Sequence, residues 1–351
     1  MLDKTRNVNV SKVIKFLIQL FEKGGLASPK AESIARILVE ADLLGHRTHG
    51  LALVKNYFEE LEKGGMESQK EYEVLNFTST TQLWNGNYQP GTWLVEEAIE
   101  VATGIAKNEG IGTIVIQKSH HIGCLAAYLE AVTAKKLMIT LACSDPRNKT
   151  VAPFGGLEGV YSPNPIALGI PTNSIPILLD VSLSTTANAV VARAAKNKEV
   201  LGGDWLLDAS GNATNDPSLF FQDPPASLLP LGGLDLGYKG FALGIMIEAM
   251  TNALGGYGRS DEPTRWGASV FLQVIDPEKF SGESYFLREM ESFRNASIHS
   301  KLIDKDKKIR MPGERGLELK QKQLKNGLEI SNELINELNK LGEKYLLSVF
   351  E

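Results

Sequence analysis

The first 65 residues repeat apolar positions with the spacing of amphipathic helices. One helical face is formed by apolar residues three or four positions apart: Val13, Ile14, Leu17, Ile18 and Phe21. We expect Ser11 to cap this helix and Gly24-Gly25 to end it. Ser28-Pro29 predicts the start of a second helix that ends before Gly45, and a third helix is expected over 51–62.

From about residue 72 the pattern changes to short apolar strands that alternate with helices. Strands are predicted over 73–77, 82–84, 113–117, 138–143, 166–170, 177–181 and 269–275. Helices are predicted over 92–108, 123–135, 185–196 and 240–254. The strands at 166–170 and 177–181 are close enough to form an antiparallel hairpin. The chain is therefore predicted to have an α/β fold with a mixed sheet.

The remaining segments complete a two-domain prediction. Residues 202–240 are rich in Gly, Pro, Asp and Leu, which indicates a long functional loop. Residues 314–326 and 331–347 again have helical patterns and are expected to pack on the N-terminal helices. We predict a helical domain from residues 1–70 plus 300–351 and an α/β domain from residues 71–299.

Composition narrows the class of protein. The 351 residues are 43% hydrophobic and 23% charged, as in globular proteins, and the net charge of -5 offers no basic surface for nucleic acid. No apolar run reaches the roughly 20 residues that span a bilayer, and the N-terminus is too polar for a signal peptide. With two cysteines and no disulfide framework, we expect a cytoplasmic enzyme that binds small molecules rather than nucleic acid or membranes.

Four of the five histidines fall in two short clusters, His46 to His49 and His120-His121. Imidazole changes charge near neutral pH and is the usual proton carrier in enzymes. His49 precedes a predicted helix, and His121 follows a predicted strand, where α/β proteins commonly bind ligands. His49 and His121 are therefore candidates for general acid–base catalysis. The alternative for each is a capping or surface imidazole.

Asp145 follows another predicted strand, in Ser144-Asp145-Pro146. A carboxylate there could orient a catalytic histidine, as in catalytic triads, or it could form an Asx turn before the proline. The histidines could also assemble a zinc site with Cys124 and Cys143. No local metal-binding spacing is present in the sequence, so no metal is predicted.

Dinucleotide binding has no consensus motif in this chain. No Gly-X-Gly-X-X-Gly follows a predicted strand, and there is no Walker A motif. Three other junctions could hold phosphates through backbone amides and a helix dipole: Asp180–Ser184, Lys239-Gly240 and Met311–Glu314. The alternative is that each junction is a simple helix start.

Together these segments resemble the type-2 malate/L-lactate dehydrogenase family, which includes ureidoglycolate dehydrogenase, diketogulonate reductase, sulfolactate dehydrogenase and piperideine-carboxylate reductase. The resemblance runs nearly end to end. It is carried by Thr48-His49-Gly50, His121-Ile122-Gly123, Ser144-Asp145-Pro146, Val151–Gly156, Asn164-Pro165, Leu179-Asp180, Tyr238-Lys239-Gly240 and Pro312-Gly313-Glu314. So many short motifs in the same order and spacing argue against a chance match.

The resemblance implies a homodimeric oxidoreductase that binds NAD or NADP in a non-Rossmann fold, near a subunit interface. It implies that His49 and His121 transfer the proton and that Asp145 supports them. The implied cofactor contacts are Ser144, Asp180, Ser182, Leu183, Ser184, Lys239, Pro312, Gly313 and Glu314. The implied substrate contacts are Thr48, Leu53 and Asn164.

The sequence departs from the family pattern at two places. An arginine, which would clamp a substrate carboxylate with two hydrogen bonds, commonly stands where this chain has Leu53. Lys55 is two residues away and would point elsewhere on a helix. Ser162-Pro163 also stands where the family commonly has Gly-Thr before Asn-Pro.

We therefore predict hydride transfer between a nicotinamide and a small 2-hydroxy or 2-oxo acid, or a related carbonyl compound. A histidine would donate or accept the proton. Leu53 favours an alternative substrate, a cyclic imine or another compound without the usual carboxylate clamp. A further alternative is a catalytically silent dimer that binds the dinucleotide.

Overall fold

The computed structural model describes residues 5–347. Short runs of aliphatic and β-branched residues form its strands. In chain order the strands are β1 (Thr5–Val8), β2 (Glu73–Phe77), β3 (Thr81–Asn85), β4 (Ile111–Ser119), β5 (Met138–Ser144), β6 (Ile166–Ile170), β7 (Ile177–Val181), β8 (Leu206–Leu207), β9 (Ala213–Thr214), β10 (Ser227–Leu228), β11 (Ala268–Ile275) and β12 (Leu328–Ser331).

Helices connect most of these strands. In chain order they are α1 (Val10–Lys23), α2 (Ser28–Leu43), α3 (Val54–Glu62), α4 (Gly91–Glu109), α5 (Leu129–Thr133), α6 (Asn188–Asn197), α7 (Gly233–Glu248), α8 (Glu283–Ile298), α9 (Glu314–Asn326) and α10 (Asn332–Glu343). Short 3₁₀ turns at Leu51–Leu53 and Leu125–Tyr128 lead into α3 and α5. Within the described range, no helix combines the length and hydropathy needed to cross a membrane.

Seven of the described strands form one mixed sheet in the order β2-β3-β4-β11-β5-β6-β7. β3 and β4 are parallel, and the other neighbouring pairs are antiparallel. The predicted hairpin of β6 and β7 is confirmed, since Ile166 pairs with Val181 and Ile170 with Ile177. β11 comes from late in the chain and lies at the centre of the sheet, where most of its side chains are buried. The predicted α/β fold with a mixed sheet is therefore confirmed.

Small residues allow helix α4 to lie close against the sheet. Ala98, Ala102 and Ala106 recur every fourth residue and are fully buried. A Cβ at Gly112 of β4 would overlap with the Ala102 carbonyl, so this approach requires glycine. The same helix begins at Gly91, where a Cβ would overlap with the His120 carbonyl. Helix α4 therefore supports the loop that carries the second histidine cluster.

A second apolar core joins both ends of the chain. The apolar face predicted for the first helix is its packing face, since Val13, Leu17 and Phe21 are fully buried. This face packs with α2, α3, α10 and β12 in one cluster. β1 also pairs antiparallel with β12, from Thr5 opposite Ser331 to Val8 opposite Leu328. The N- and C-terminal segments therefore share a core, as the sequence predicts.

Several predicted local features are wrong. Helix α1 is capped by Asn9, whose side chain accepts a hydrogen bond from the Lys12 amide at 3.1 Å, and not by Ser11. Helix α7 begins at Gly233 instead of near Lys239-Gly240, because Gly232 adopts the left-handed conformation that starts it. The 202–240 segment, predicted as a loop, contains the small sheet of β10, β8 and β9 and the start of α7. Strands β1 and β12 and helix α8 are missing from the prediction.

A buried carboxylate fixes the turn that carries the first histidine cluster. Asp42, near the end of α2, accepts a hydrogen bond from the Leu51 backbone amide at 2.5 Å. Gly50 cannot carry a side chain, because a Cβ there would overlap with the Asp42 carboxylate. Burial raises the pKa of Asp42 to about 7, although the hydrogen bond from Leu51 and the charge of Arg47 oppose this.

This raised pKa predicts a pH-dependent stability. An aspartate in the unfolded chain deprotonates near pH 4, whereas Asp42 in the folded protein keeps its proton until about pH 7. The folded state binds more protons over this interval, so its stability falls as the pH rises from about 4 to 7. Asp42→Asn keeps an acceptor for Leu51 without a charge. Between about pH 5 and pH 8, the free energy of unfolding of Asp42→Asn should therefore fall by on the order of 3 kcal/mol less than that of the wild type.

Urea unfolding at the two pH values measures the difference. Asp208→Asn is a suitable control, because Asp208 lies far along the chain in a loop, and a backbone hydrogen bond from Asn212 lowers its pKa, so that it stays ionised at both pH values. The control should keep the wild-type pH dependence. An unchanged pH dependence in Asp42→Asn would show that this carboxyl group ionises in its ordinary range.

Candidate active site

Two loops from distant parts of the chain converge on one cavity. One is the turn Arg47–His49 between α2 and α3, and the other is the segment 120–123 after β4. The ring centroids of His49 and His121 are 6.1 Å apart and their planes differ by 20°. The structure therefore brings the two candidate histidines together, with nearly parallel rings.

The His121 ring is oriented by Tyr57 of α3. The Tyr57 hydroxyl lies 2.7 Å from Nδ1 of His121 and 3.1 Å from its carbonyl oxygen. The Gly123 backbone amide donates to the same Nδ1 at 3.3 Å. Because an amide N–H can only donate, Nδ1 is an acceptor, and a neutral His121 carries its proton on Nε2. Burial raises the pKa of Tyr57 well above its usual value, so its hydroxyl remains a donor.

Aromatic packing and burial keep both imidazoles neutral. The Trp266 ring stacks on His121 with centroids 4.8 Å apart. Burial, and then repulsion from the neighbouring imidazoles of His49 and His120 when they are protonated, hold the pKa of His121 well below its usual value. Burial also lowers the pKa of His49, although the charge of Asp180 opposes this. Both imidazoles are therefore neutral at neutral pH in the free protein.

The two histidines line a cavity of about 480 Å³, which we call the histidine cavity. Its size is within the range of small-molecule sites. Other side chains in its wall are Thr48, Leu53, Cys124, Asp145, Ser182 and Trp266. None of the described residues that line it is a lysine or an arginine. The wall is therefore mostly apolar or neutral, with carboxylates at two positions.

Leu53 lies in the cavity wall at the position where an arginine could bind a substrate carboxylate. It lines the histidine cavity and packs against the helical core. Lys55 does not replace the missing arginine, because its Nζ lies 3.5 Å from Glu337 on α10 and its side chain is half exposed. The described wall thus offers no permanent cation to a substrate carboxylate.

Asp145 lines the cavity, but it forms an Asx turn, the alternative to the predicted role of orienting a histidine. Its Oδ1 accepts a hydrogen bond from the Arg147 amide at 3.0 Å. Within residues 5–347, no hydrogen bond joins it to either candidate histidine. Burial raises the pKa of Asp145. The orienting role expected for Asp145 is filled by Tyr57 in this structure.

Asp180 lies where the histidine cavity meets a second cavity. The second cavity has a volume of about 610 Å³, and its wall shares His46 and Asp180 with the first. The Asp180 carboxylate accepts hydrogen bonds from the Ala126 amide at 2.9 Å and from the Cys124 thiol at 3.5 Å. The two cavities therefore adjoin at His46 and Asp180, which belong to both walls.

The predicted cofactor and substrate contacts divide between these walls. Thr48, Leu53, Asp180 and Ser182 line the histidine cavity, and the Thr48 hydroxyl lies 3.1 Å from Nδ1 of His49. Pro312, Gly313 and Asp180 line the second cavity, together with Arg47 and Arg315.

Four other predicted contacts lie outside both walls. Leu183 is a buried core residue, and the Ser184 hydroxyl donates to the Thr186 carbonyl at 2.7 Å. Glu314 accepts a hydrogen bond from the Met311 amide at the start of α9. Lys239 is exposed on α7, with its Nζ 5.8 Å from the centre of the Tyr238 ring. These residues do not face the described cavities of their own chain.

Ser144 and Asn164 belong to a buried polar network behind the cavity wall. Glu248 accepts hydrogen bonds from the Ser144 hydroxyl and the Asn164 amide, both at 2.9 Å. Arg259 donates two hydrogen bonds to Glu248, at 2.6 and 3.0 Å. It also binds the carbonyls of Pro146 and Asn148. The network therefore anchors the loop that carries Asp145, and neither Ser144 nor Asn164 contacts the described cavities.

Four residues that shape this site were not found from the sequence: Tyr57, Trp266, Glu248 and Arg259. Tyr57 lies on the buried face of α3, and a tyrosine there requires a partner for its hydroxyl, which is a usable signal. Trp266 and Arg259 lie in irregular segments whose position depends on tertiary contacts. No local pattern identifies them.

Comparisons with known proteins agree with this architecture. A sequence profile described as malate/L-lactate dehydrogenase matches residues 8–339. The chain belongs to this family.

Two curated relatives illustrate the range of this family. The malate/(S)-sulfolactate dehydrogenase of Methanothermus fervidus is 29% identical over 337 residues, which cover 93% of this chain and 95% of that protein. The (2R)-3-sulfolactate dehydrogenase (NADP(+)) of Chromohalobacter salexigens is 27% identical over 345 residues, which cover 95% of this chain and 97% of that protein. The crystal structure of malate dehydrogenase from Entamoeba histolytica matches the fold with a TM-score of 0.91 at 24% identity, over 99% of each chain. The predictions of the family and of an NAD- or NADP-dependent dehydrogenase are therefore confirmed.

Loss of either partner of the Arg259–Glu248 ion pair is expected to destabilise the protein strongly. Burial opposes the ionisation of Glu248, but the Arg259 guanidinium outweighs it and lowers the pKa of Glu248. Removing one partner leaves a mostly buried charge unpaired, which typically costs about 3–5 kcal/mol. Arg259→Met should therefore lower the free energy of unfolding by roughly this amount. The double variant Arg259→Met with Glu248→Gln should recover part of the loss.

The matched control is Arg36→Met. Arg36 also forms two hydrogen bonds with a carboxylate, that of Glu96, but its side chain is 55% exposed. Loss of such an exposed pair costs about 1 kcal/mol or less. Denaturant unfolding compares the variants, and equal losses for Arg259→Met and Arg36→Met would contradict the structural role of the network.

Proposed function

We propose that the histidine cavity interconverts a small 2-hydroxy and 2-oxo acid, or a related carbonyl compound, with His121 or His49 as proton carrier. The observation that carries this proposal is the nearly parallel placement of two neutral imidazoles, with ring centroids 6.1 Å apart, in one cavity of small-molecule size. A nicotinamide bound in the same cavity supplies or accepts the hydride.

His121 is suited to donate a hydrogen bond and then a proton through Nε2. Tyr57 and Gly123 both lie against Nδ1, so the donor side of the ring is fixed without rotation. The low pKa of His121 keeps it a neutral imidazole, which can polarise a carbonyl and transfer its proton as negative charge develops on oxygen. His49, which lies parallel to it, is the second candidate for this step.

The second cavity is suited to the rest of a dinucleotide. It shares His46 and Asp180 with the wall of the histidine cavity, and its own wall contains the Pro312-Gly313 start of helix α9. The positive end of a helix dipole and the guanidinium groups of Arg47 and Arg315 can attract phosphate. The residues present therefore fit NAD or NADP. The mixed sheet, with its single described parallel pair, supports binding outside a Rossmann fold.

Leu53 supports an alternative substrate. A cavity without a lysine or arginine in its described wall pairs poorly with a carboxylate, because burying that charge without a partner is costly. A cyclic imine, or a carbonyl compound with an apolar group near the reacting carbon, would instead contact the Leu53 side chain.

We also propose a homodimer, with the helical segments 1–70 and 300–351 forming one domain and residues 71–299 the other. An apolar surface on α7 supports the dimer: Leu234, Leu236, Tyr238, Leu243, Ile245 and Met246 are exposed. Lys239 lies within this surface. In a dimer built on α7, Lys239 would reach a cofactor bound by the partner subunit.

The role of His121 is tested by His121→Ala. Loss of a positioned proton donor should lower kcat by roughly 10²–10⁴ and leave cofactor affinity nearly unchanged. His299→Ala is the control, because His299 is exposed at the end of α8 and far along the chain from both loops. Steady-state kinetics and fluorescence titration with the reduced dinucleotide give the two quantities. If His121→Ala turned over at the wild-type rate, His49 would be assigned as the proton carrier instead. If the wild-type protein bound the dinucleotide but turned over no substrate, it would be a catalytically silent dinucleotide-binding protein.

The role of Leu53 is tested by Leu53→Arg. A guanidinium in the cavity wall should raise kcat/KM for small 2-oxo acids by at least about 10-fold relative to cyclic imines, through a bidentate contact with the carboxylate. Leu53→Met is the control that changes shape without adding charge. An unchanged ratio of the two substrate classes in Leu53→Arg would show that position 53 does not determine specificity.

A further inference from the structure

Three potential metal ligands meet at the boundary between the two cavities. Among the described residues, His46, Cys124 and Asp180 each offer one ligand atom, and these atoms lie within 4.8 Å of one another. They come from three separate segments: the residue before the 3₁₀ turn Arg47–His49, the residue before the 3₁₀ turn Leu125–Tyr128, and the end of β7. Sequence spacing does not reveal such a group.

The distances are close to those of a real coordination sphere. Cys124 Sγ lies 3.5 Å from Asp180 Oδ2. Ligand bonds of about 2.0–2.3 Å in a tetrahedral zinc site place the ligand atoms roughly 3.5 Å apart. Small side-chain rotations of His46 would complete the group. Thiolate, imidazole and carboxylate are also the ligand types that zinc prefers.

We propose that His46, Cys124 and Asp180 form a three-ligand site for one Zn²⁺ ion at the boundary of the two cavities. All three residues line the histidine cavity, so the fourth position faces open space and holds water. As the metal binds, the Cys124 thiol passes its proton to solvent and a sulfur–metal bond replaces the hydrogen bond to Asp180. His46 contributes a lone pair from one ring nitrogen.

Occupation of this site excludes the dinucleotide. This second step rests on the proposed function, because the cofactor is expected to cross the same boundary at Asp180. The ion would take the Asp180 carboxylate and the space between the cavities. Zinc is therefore an inhibitor that competes with the cofactor, and it is not a catalytic group of this site.

Metal binding is tested on the full-length protein after removal of metals with a chelator. Co²⁺ in place of Zn²⁺ should give a thiolate-to-cobalt absorption band that Zn²⁺ abolishes at one equivalent. Cys124→Ser should remove the band. It should also weaken Zn²⁺ binding by more than roughly 100-fold, because losing a residue that only hydrogen-bonds to a metal ligand already weakens binding by roughly 10–100-fold. His46→Gln, a change on the turn surface, should weaken binding by a similar factor.

Cys143→Ser is the matched control. Cys143 is the other free cysteine, and it lines the same cavity without belonging to the ligand group. The control should keep the cobalt band and the zinc affinity. A band that survives Cys124→Ser, or that disappears in Cys143→Ser, would overturn the site. Circular dichroism of each variant verifies that it is folded.

Exclusion of the cofactor is tested by fluorescence titration with NADH or NADPH. With the proposed function correct, one equivalent of Zn²⁺ should weaken dinucleotide binding at least about 10-fold in the wild type and in Cys143→Ser, and should have no such effect in Cys124→Ser. Simultaneous binding of zinc and dinucleotide would overturn the exclusion. A wild type that binds zinc at Cys124 but binds neither dinucleotide would instead refute the proposed function and leave the metal site standing.

Discussion

The hydrogen bond between Tyr57 and His121 connects the two halves of this protein. Tyr57 belongs to the core of the N-terminal helices, and His121 belongs to the loop after a central strand of the sheet. The bond therefore links the two layers at the candidate site and orients one imidazole at the same time. The His49 turn is attached to the same helical layer as Tyr57 through Asp42 and Leu51.

Burial determines the chemistry that this geometry allows. Because burial disfavours the charged form of an imidazole, the pKa values of His49 and His121 both fall. The same burial makes an unpaired substrate carboxylate costly. One physical property, the burial of the two rings in a mostly apolar or neutral wall, therefore lowers both imidazole pKa values and disfavours an unpaired carboxylate beside them.

Much of the fold could be predicted because its signals are local. The hairpin of β6 and β7 and the helix α9 follow from periodicity and turn residues, and their predicted bounds match. The pairing of β1 with β12 could not be predicted, since each strand has only four residues and finds its partner more than 300 positions away. In the site, paired histidines were visible in the sequence. Their orienting partner was not, because Asp145 satisfies its own turn while Tyr57 reaches across from another layer.

The union of β1 and β12 also affects how the chain acquires its structure during synthesis. A ribosome delivers residue 5 long before residue 328, so α1 and α2 must wait with an incomplete apolar face. The sheet can close earlier, once β11 has emerged. The core that the N-terminal helices share with β12 and α10 therefore cannot be completed until residues 328–343 have been synthesised.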